Sequence, residues 1–192
     1  MKKIILITLC FSIGLATNAQ RYAIDPGHTA VVSKVMRFGV VKVVGRFNSV
    51  SGTINFNPAN LSGATAEISI KTDSYTANNE GGENAVKSSQ FLDAGKFPEI
   101  KMTLKSLTKS DKNFIVLATI TLHGITKDIS FPVSINGPMM DLPTQKQSLG
   151  ISGLFTINRQ DFGMTMNRKL PSGAEVIGNE VEIEINALAL AE

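Results

Sequence analysis

The stretch Asn113–Leu122, which reads NFIVLATITL, decides the fold class of this chain. Its apolar side chains fall on every second position, and successive side chains of a β-strand point to opposite faces of the sheet. The stretch therefore predicts a strand with one apolar face and one polar face. The same alternation recurs at Ile54 and Phe56; at Ala66, Ile68 and Ile70; at Ile100, Met102 and Leu104; at Ile129, Phe131, Val133 and Ile135; at Leu149, Ile151, Phe155 and Ile157; and at Val181, Ile183, Ile185 and Ala187.

One-sided strands of this kind need a shared interior, so they either pack as a sandwich or close into a barrel. Turn residues separate the segments, for example at Asn57–Asn60, Ser110–Asn113 and His123–Ile125. About eight strands in one domain suit a closed antiparallel barrel whose interior holds one small ligand. The sequence thus predicts an all-β fold, an eight-stranded antiparallel β-barrel with a short helical crossover.

Three segments depart from the alternation. The longest, Asp73–Lys96, is rich in Asn, Glu, Gly and Ser, and Glu83–Gln90 within it is expected to form the helix. A connection of this length is either a functional lid or a solvated crossover, and the sequence leaves both open. We expect Gly39–Gly45 to be a loop or short helix that covers one end of the structure, and Gly137–Gln147 to be a second polar loop.

The N-terminus has the pattern of an export signal. Lys2 and Lys3 precede an apolar run, and Thr17 and Ala19 are small residues at the two positions that a signal peptidase reads. The run, Ile4–Leu15, is shorter than the roughly 20 residues that span a bilayer, so we expect no stable membrane anchor. Residues 1–19 are therefore predicted to be a signal peptide cleaved after Ala19, with residues 20–192 forming a single periplasmic domain.

Cys10 is the single cysteine, and it lies within the predicted signal. Leu9 precedes it, where lipidation would need a small residue, so we expect neither a lipid anchor nor disulfide or thiol chemistry in the mature chain. Lys2 and Lys3 account for two of the 19 basic residues, so residues 20–192 carry 17 basic residues against 16 acidic ones. This balance gives no basis for nucleic-acid binding.

No catalytic or metal-binding pattern accompanies the strands. His28 and His123 are the two histidines, and neither has the spacing of a metal site. The chain has no Gly-x-Ser-x-Gly elbow, no P-loop and no dinucleotide-binding glycine pattern. The sequence therefore predicts a protein that is not an enzyme, with no metal and no cofactor.

The ten phenylalanines and seven methionines have two interpretations. They form an ordinary core, or they line an interior that holds a flexible hydrocarbon chain. Composition alone does not separate the two. The candidate cavity residues are Phe38, Phe47, Phe56, Ile68, Phe91, Met102, Ile120, Phe131 and Ile183.

Three basic residues are candidates for contact with an anionic head group: Arg46, Lys87 and Arg159. Arg159 has a second interpretation, in which it pairs with Asp161 and fixes a corner of the barrel. Gly163 then allows a backbone turn that other residues adopt with strain.

The order of short motifs resembles the YceI-like family of exported, lipocalin-like lipid-binding proteins. The match extends over the whole mature chain. One position departs from the family, which usually has a histidine where this chain has Ala85, although the acidic residue two positions earlier is present as Glu83. The matching motifs are Asp25–Thr29, Gly45–Phe47, Ser88–Asp93, Phe97–Ile100, Leu122–Lys127, Asn158–Gly163 and Ile177–Val181.

The resemblance implies an extended, lipocalin-like eight-stranded barrel with a long hydrophobic cavity. It also implies an isoprenoid ligand of the quinone or polyprenyl phosphate class, which the protein would carry or sequester in the periplasm. Two alternatives remain at this stage: an enzyme that modifies such a lipid, and a ligand-free structural or stress-response barrel. The choice between a monomer and a homodimer also stays open.

Overall fold

The computed structural model describes residues 19–192. The predicted signal peptide, with Cys10, lies outside the described residues apart from Ala19. Among residues 19–192, every helix is too short or too polar to span a bilayer.

Ten strands and one short α-helix make up the described chain. The strands are β1 (Gln20–Arg37), β2 (Val41–Phe47), β3 (Val50–Phe56), β4 (Thr65–Lys71), β5 (Tyr75–Ala77), β6 (Glu99–Ser110), β7 (Asn113–Leu122), β8 (Ile125–Asp141), β9 (Lys146–Asn158) and β10 (Ile177–Ala191). The helix α1 is Glu80–Lys87, and short 3₁₀ turns occur at Leu61–Gly63, Thr72–Ser74 and Arg159–Phe162.

Eight of these strands close into an antiparallel barrel, which confirms the predicted fold class. Around the barrel the order is β1, β3, β4, β6, β7, β8, β9 and β10, and β10 pairs with β1 to complete the ring. One edge of β1 serves two partners, because Gln20–Ala23 pair with β3 whereas Val31–Arg37 pair with β2. Strand β5 then pairs with β2 and extends the wall there.

The direction of the strands gives the barrel two different ends. At the upper end lie the turn 38–40, the connection 72–98, the turn 123–124 and the connection 159–176. At the lower end lie the shorter connections 57–64, 111–112 and 142–145. The two long connections, which carry α1 and the Arg159–Phe162 turn, therefore both cover the upper end.

The expectation of a loop or short helix at Gly39–Gly45 is wrong, because most of this segment is β2. Strand β1 is 18 residues long and continues past the end of β3, so its C-terminal half needs another partner. Phe38 and Gly39 both have positive φ, 56° and 70°, as in a tight hairpin turn that returns the chain along β1.

The expectation of a polar loop over Gly137–Gln147 is also wrong in most of its length. Strand β8 continues to Asp141 and β9 begins at Lys146, so the loop shortens to residues 142–145.

The predicted helix is present as α1, but it begins three residues earlier than predicted. The side chain of Asn79 accepts a hydrogen bond from the backbone N–H of Gly82 and caps it there.

Gly45 is needed where the barrel wall meets the ring of Tyr75. Tyr75 is buried and packs edge-on against Phe47, with the ring centroids 5.3 Å apart. A Cβ atom on residue 45 would lie 1.9 Å from the Tyr75 hydroxyl oxygen. The absence of a side chain at Gly45 therefore allows β5 to seat its aromatic residue on β2.

We expect Gly45→Ala to destabilise the protein by about 1–3 kcal/mol, because the buried tyrosine must move to admit the methyl group. Urea denaturation followed by circular dichroism measures the change. The control is Gly95→Ala, since a Cβ on residue 95 meets no atom within 4 Å. An equal effect of the two substitutions would show that the Tyr75 contact is not the cause.

Candidate functional site

A cavity of about 180 Å³ lies inside the barrel. Its walls consist of 28 residues, drawn from β1 to β4, from β6 to β10 and from Ala64, and 27 of them have apolar side chains. Thr29 is the exception, and none of the 28 has an ionisable side chain. The cavity can therefore bind apolar groups by excluding them from water, and it offers no charged partner to a polar group.

The alternation of the sequence produces this apolar wall directly. Residues that stand opposite each other on neighbouring strands share one face of the sheet, and Ile68, Met102 and Ile120 on β4, β6 and β7 share the inward face. Phe131 and Phe155 stack inside the barrel with their ring centroids 4.2 Å apart. Because every second residue of each strand faces inwards, the apolar residues of all the strands together form one continuous lining.

Thr29 is polar, but its hydroxyl group already has backbone partners. Its Oγ1 lies 3.5 Å from the carbonyl oxygen of Leu188, to which it donates, and 3.3 Å from the backbone nitrogen of the same residue, from which it accepts. These bonds join β1 to β10 at the irregularity in their pairing between Asp25 and Ala30. Thr29 therefore helps to close the barrel.

The structure brings seven of the nine predicted cavity residues together in the cavity wall. Phe38 is different, because it lies in the turn after β1 and packs against the guanidinium group of Arg37, 4.0 Å from its ring centroid. Phe91 lies in the upper-end connection and packs on the core from outside the lining. The seven in the wall are Phe47, Phe56, Ile68, Met102, Ile120, Phe131 and Ile183.

Several lining residues were not among the predicted candidates, although they carry the same period-two signal. Ile54, Ile100, Leu122 and Phe155 all occupy alternating positions in the sequence and all face the cavity. The alternation alone would have found these residues.

The three basic head-group candidates do not form a common site. Arg46 is exposed on the outer face of β2, since its neighbours Gly45 and Phe47 are buried, and its Nη2 donates to the carbonyl oxygen of Thr29 at 3.4 Å. Lys87 ends α1 at the upper end and is half-buried. None of the three lines the cavity.

Arg159 is buried and holds the backbone of the upper end. Its guanidinium group donates to the carbonyl oxygens of Met164, Met166, Ile177 and Gly178, the last at 3.0 Å from Nε. Burial lowers the pKa of Arg159, but an arginine in a protein remains protonated. The guanidinium group thus holds the backbone of residues 164–178 in place.

The predicted pairing of Arg159 with Asp161 is wrong. Asp161 lies 3.7 Å from the ammonium nitrogen of Lys127 instead. Gly163 does adopt a left-handed backbone, with φ of 75°, and ends the turn as predicted. The Phe91 ring lies over the Arg159 guanidinium group at 5.6 Å, so the buried arginine also supports the other upper-end connection.

Both histidines lie outside the cavity wall. The Nδ1 of His123 donates to the carbonyl oxygen of Phe162 at 2.9 Å, and its ring packs on Phe97 at 4.7 Å between centroids. The exposed His28 pairs with Asp25 at 2.6 Å, and this hydrogen bond raises the pKa of His28. Residues 19–192 contain no cluster of side chains that could hold a metal ion.

Comparison with known proteins identifies the family. The family model described as the YceI-like domain matches residues 22–189. The chain belongs to the YceI-like family. It is 30% identical to the UPF0312 protein VVA0736 of Vibrio vulnificus over 170 residues, covering 85% of this chain and 89% of the relative. A UPF0312 protein of Staphylococcus aureus is 27% identical over 166 residues, covering 86% and 95%.

Solved structures share the YceI-like fold at lower identity. Burkholderia cenocepacia BcnA has a TM-score of 0.75 at 17% identity, covering 86% of this chain and 98% of its own. The Campylobacter jejuni YCEI protein has a TM-score of 0.61 at 23% identity, covering 97% and 98%. A polyisoprenoid-binding domain from Saccharophagus degradans has a TM-score of 0.68 at 14% identity, covering 89% and 98%.

Several motifs that carry the YceI-like resemblance meet at the upper end of this barrel. The segments Phe97–Ile100, Leu122–Lys127 and Asn158–Gly163 are joined by the contacts of His123 and Lys127 described above. Ala85, which departs from the family pattern, is exposed on α1 at the same end. These motifs build the cover of the cavity, whereas the lining follows from the alternation.

We expect Arg159→Met to destabilise the protein by about 2–5 kcal/mol, because it leaves buried carbonyl groups without donors. Urea denaturation measures the loss. Hydrogen exchange should also accelerate at the amides of Leu170 and Val176, whose bonds hold the segment that Arg159 fixes.

Arg46→Met is the matched control, since that exposed arginine donates to a single carbonyl group and should cost less than about 1 kcal/mol. Unchanged exchange in Arg159→Met would contradict the role assigned to the buried guanidinium group.

Proposed function

We propose that the protein is an exported, periplasmic carrier that holds an isoprenoid or similar long-chain lipid inside its barrel. The observation that carries the proposal is the cavity wall, in which 27 of 28 residues are apolar and none is ionisable. The similarity to a structure described as a polyisoprenoid-binding domain supports the ligand class. The proposal requires one chain only, because the barrel closes within it.

The binding energy would come from desolvation of the lipid tail. Each buried CH₂ group contributes about 0.8 kcal/mol, so a few isoprene units offset the cost of association and reach micromolar affinity. The cavity of about 180 Å³ is smaller than the roughly 300–1,000 Å³ of usual ligand pockets. The barrel therefore suits a single narrow chain, and Met102 is the flexible lining residue best able to make room.

The arrangement of charges supports a carrier rather than an enzyme acting on the lipid. Acid–base or nucleophilic catalysis needs an ionisable group within reach of the substrate, and the lining has none.

The arrangement of charges also supports a neutral head group, such as a quinone, over a phosphate. The donors of the buried Arg159 are already bonded to backbone carbonyls, and Arg46 faces outwards.

The connection 72–98 is the proposed gate. It covers the upper end with Phe91 and Leu92 packed onto the core, and its own two ends are joined by the bond from the Thr72 hydroxyl to the carbonyl oxygen of Phe97 at 2.8 Å. The barrel strands are joined to one another by continuous hydrogen-bond ladders. Within the connection β5 pairs with β2, but the backbone hydrogen bonds of residues 78–97 join residues of the connection to one another and not to the barrel strands. Opening at the upper end would therefore disturb fewer backbone hydrogen bonds than separating two strands.

Lipid extraction of the purified protein followed by mass spectrometry tests the proposal. We expect an isoprenoid at up to one molecule per chain, or uptake of added isoprenoid when the protein is purified empty. A protein that carries no lipid and takes up none would be the ligand-free structural barrel instead.

Filling the cavity should remove binding without unfolding the barrel. We expect Ala66→Phe, which adds a ring inside the lining, to weaken binding of a fluorescent geranylgeraniol analogue by about ten-fold or more, because the ring occupies the space of the tail. Fluorescence titration measures the change. Glu67→Phe is the control, since the next residue on β4 is exposed on the outer face. Equal loss in both variants would contradict binding inside the barrel.

Truncation at the proposed gate should change the rate of release. We expect Phe91→Ala to speed dissociation of the same analogue several-fold with a modest loss of stability, since the ring packs on the cover and not on the ligand. Stopped-flow fluorescence measures release.

Phe38→Ala is the matched control, because Phe38 also lies at the upper end against an arginine and outside the lining. Unchanged release in Phe91→Ala would show that the connection is not the gate.

A further inference from the structure

The β1–β2 hairpin ends in exposed apolar side chains. Val40 in the turn is 83% exposed, and Met36, Val41 and Val44 on the two strands that meet at this turn are each more than one-third exposed. We call these four residues the apolar tip. Large apolar groups gathered at one exposed hairpin mark an interaction surface rather than a folding requirement.

A basic loop stands next to the apolar tip. The backbone N–H of Phe38 donates to the carbonyl oxygen of Val176 at 3.1 Å, and a Cβ on Gly39 would lie 3.9 Å from that of Ala174. Segments 36–44 and 168–175 are therefore neighbours. Together they hold four basic residues, Arg37, Lys42, Arg168 and Lys169, and one acidic residue, Glu175.

The charge of one basic group at this surface is offset by an ion pair, whereas the one acidic group keeps its charge and accepts from a neutral amide. The carboxylate of Glu175 accepts from the side-chain amide of Asn179 at 2.9 Å, and Lys42 donates to Glu182 at 3.0 Å. Arg37, Arg168 and Lys169 remain exposed beside the apolar tip. The chain beyond residue 19 has nearly balanced charge, so this excess of basic side chains is local.

The apolar tip is also close to the cover of the cavity. Strand β2 pairs with β5 at Gly45 and Ala77, and α1 packs against β5. The tip and the connection 72–98 thus lie on the same end of the barrel. A surface that contacts the apolar tip would also face the proposed gate.

We propose that the apolar tip and its basic neighbours dock on the surface of an anionic phospholipid bilayer, so that lipid passes between the bilayer and the upper end of the barrel. Apolar side chains at a tip enter the interfacial layer, and lysine and arginine beside them are attracted to anionic head groups. The purpose of the contact rests on the proposed carrier function, whereas the contact itself is independent of it.

The opposite end of the barrel supplies a control. Met139, Met140 and Leu142 are exposed at the β8–β9 hairpin, and Leu142 is 74% exposed. Segment 137–147 has one acidic and one basic residue, Asp141 and Lys146, so it has no excess of positive charge. The apolar side chains of the two hairpins are therefore similarly exposed, but the hairpins differ in net charge and in their distance from the cover of the cavity.

The chain contains no tryptophan, so the fluorescence of a single introduced tryptophan reports only on the surroundings of that residue. Val40→Trp and Leu142→Trp are each mixed with vesicles of equimolar phosphatidylglycerol and phosphatidylcholine, and with vesicles of phosphatidylcholine alone. We expect emission to shift to shorter wavelength for Val40→Trp on the anionic vesicles only, and to stay unchanged for Leu142→Trp. About 1 M NaCl, where the Debye length is about 3 Å, should reduce the fraction bound.

Two further variants and one control separate the charge and apolar contributions. In vesicle sedimentation, we expect Lys169→Glu to weaken binding about five-fold or more, because each basic residue near an anionic surface adds to the attraction. Val40→Asp should weaken it about ten-fold, and Leu142→Asp should have no effect. All three should retain the isoprenoid analogue in the absence of vesicles, which distinguishes loss of docking from loss of the carrier function.

The proposal is overturned if neither tryptophan shifts, if both shift equally, or if neutral vesicles give the same shift as anionic ones. It is also overturned if analytical ultracentrifugation shows that Val40→Asp turns a dimer into a monomer, since the apolar tip would then be a contact between two copies of the chain. Docking on vesicles by a protein that binds no isoprenoid would support the surface and contradict the carrier function.

Discussion

The pairing of β1 with β10 turns an open sheet into a barrel, and the cavity exists because of that closure. Val31 stands opposite Ile185 across this pair and both line the cavity, so the inward residues of the first and last strands join one interior. On the outer face Lys34 bonds to Glu184 at 2.8 Å and to Glu182 at 3.1 Å. These bonds raise the pKa of Lys34, but partly exposed pairs contribute little to stability, so the ladder and the interior hold the seam.

Closure gives every strand the same inward face, and this sets the chemistry of the cavity. A charged group introduced there would lack both water and a partner, so the wall is confined to apolar residues and to Thr29 with its bonded hydroxyl. Polar and charged side chains are placed on the outer face and at the ends. The barrel thereby separates an apolar interior, which follows from the alternation on every strand, from a covered upper end that depends on particular residues such as Arg159.

The sequence predicts the barrel well and its upper end poorly, for a physical reason. Strands β6 and β7 were found because each carries its own alternation. Strand β2 was missed because Val40–Val44 has no period-two pattern, and its conformation depends on pairing with the distant half of β1. The partners of Arg159 are not predictable from the sequence, because it bonds to backbone carbonyl groups, which have no signature in a sequence. Phe91 could be recognised as apolar, but its position on the cover follows from tertiary packing.

Photochemical crosslinking determines whether the isoprenoid chain proposed as the ligand lies inside the barrel. A geranylgeraniol analogue with a diazirine on its tail is bound, irradiated, and located by peptide mass spectrometry. We expect labels on inward residues such as Ile68, Met102 and Phe131. Labels confined to outward residues such as Leu154, which is exposed on β9, would contradict it.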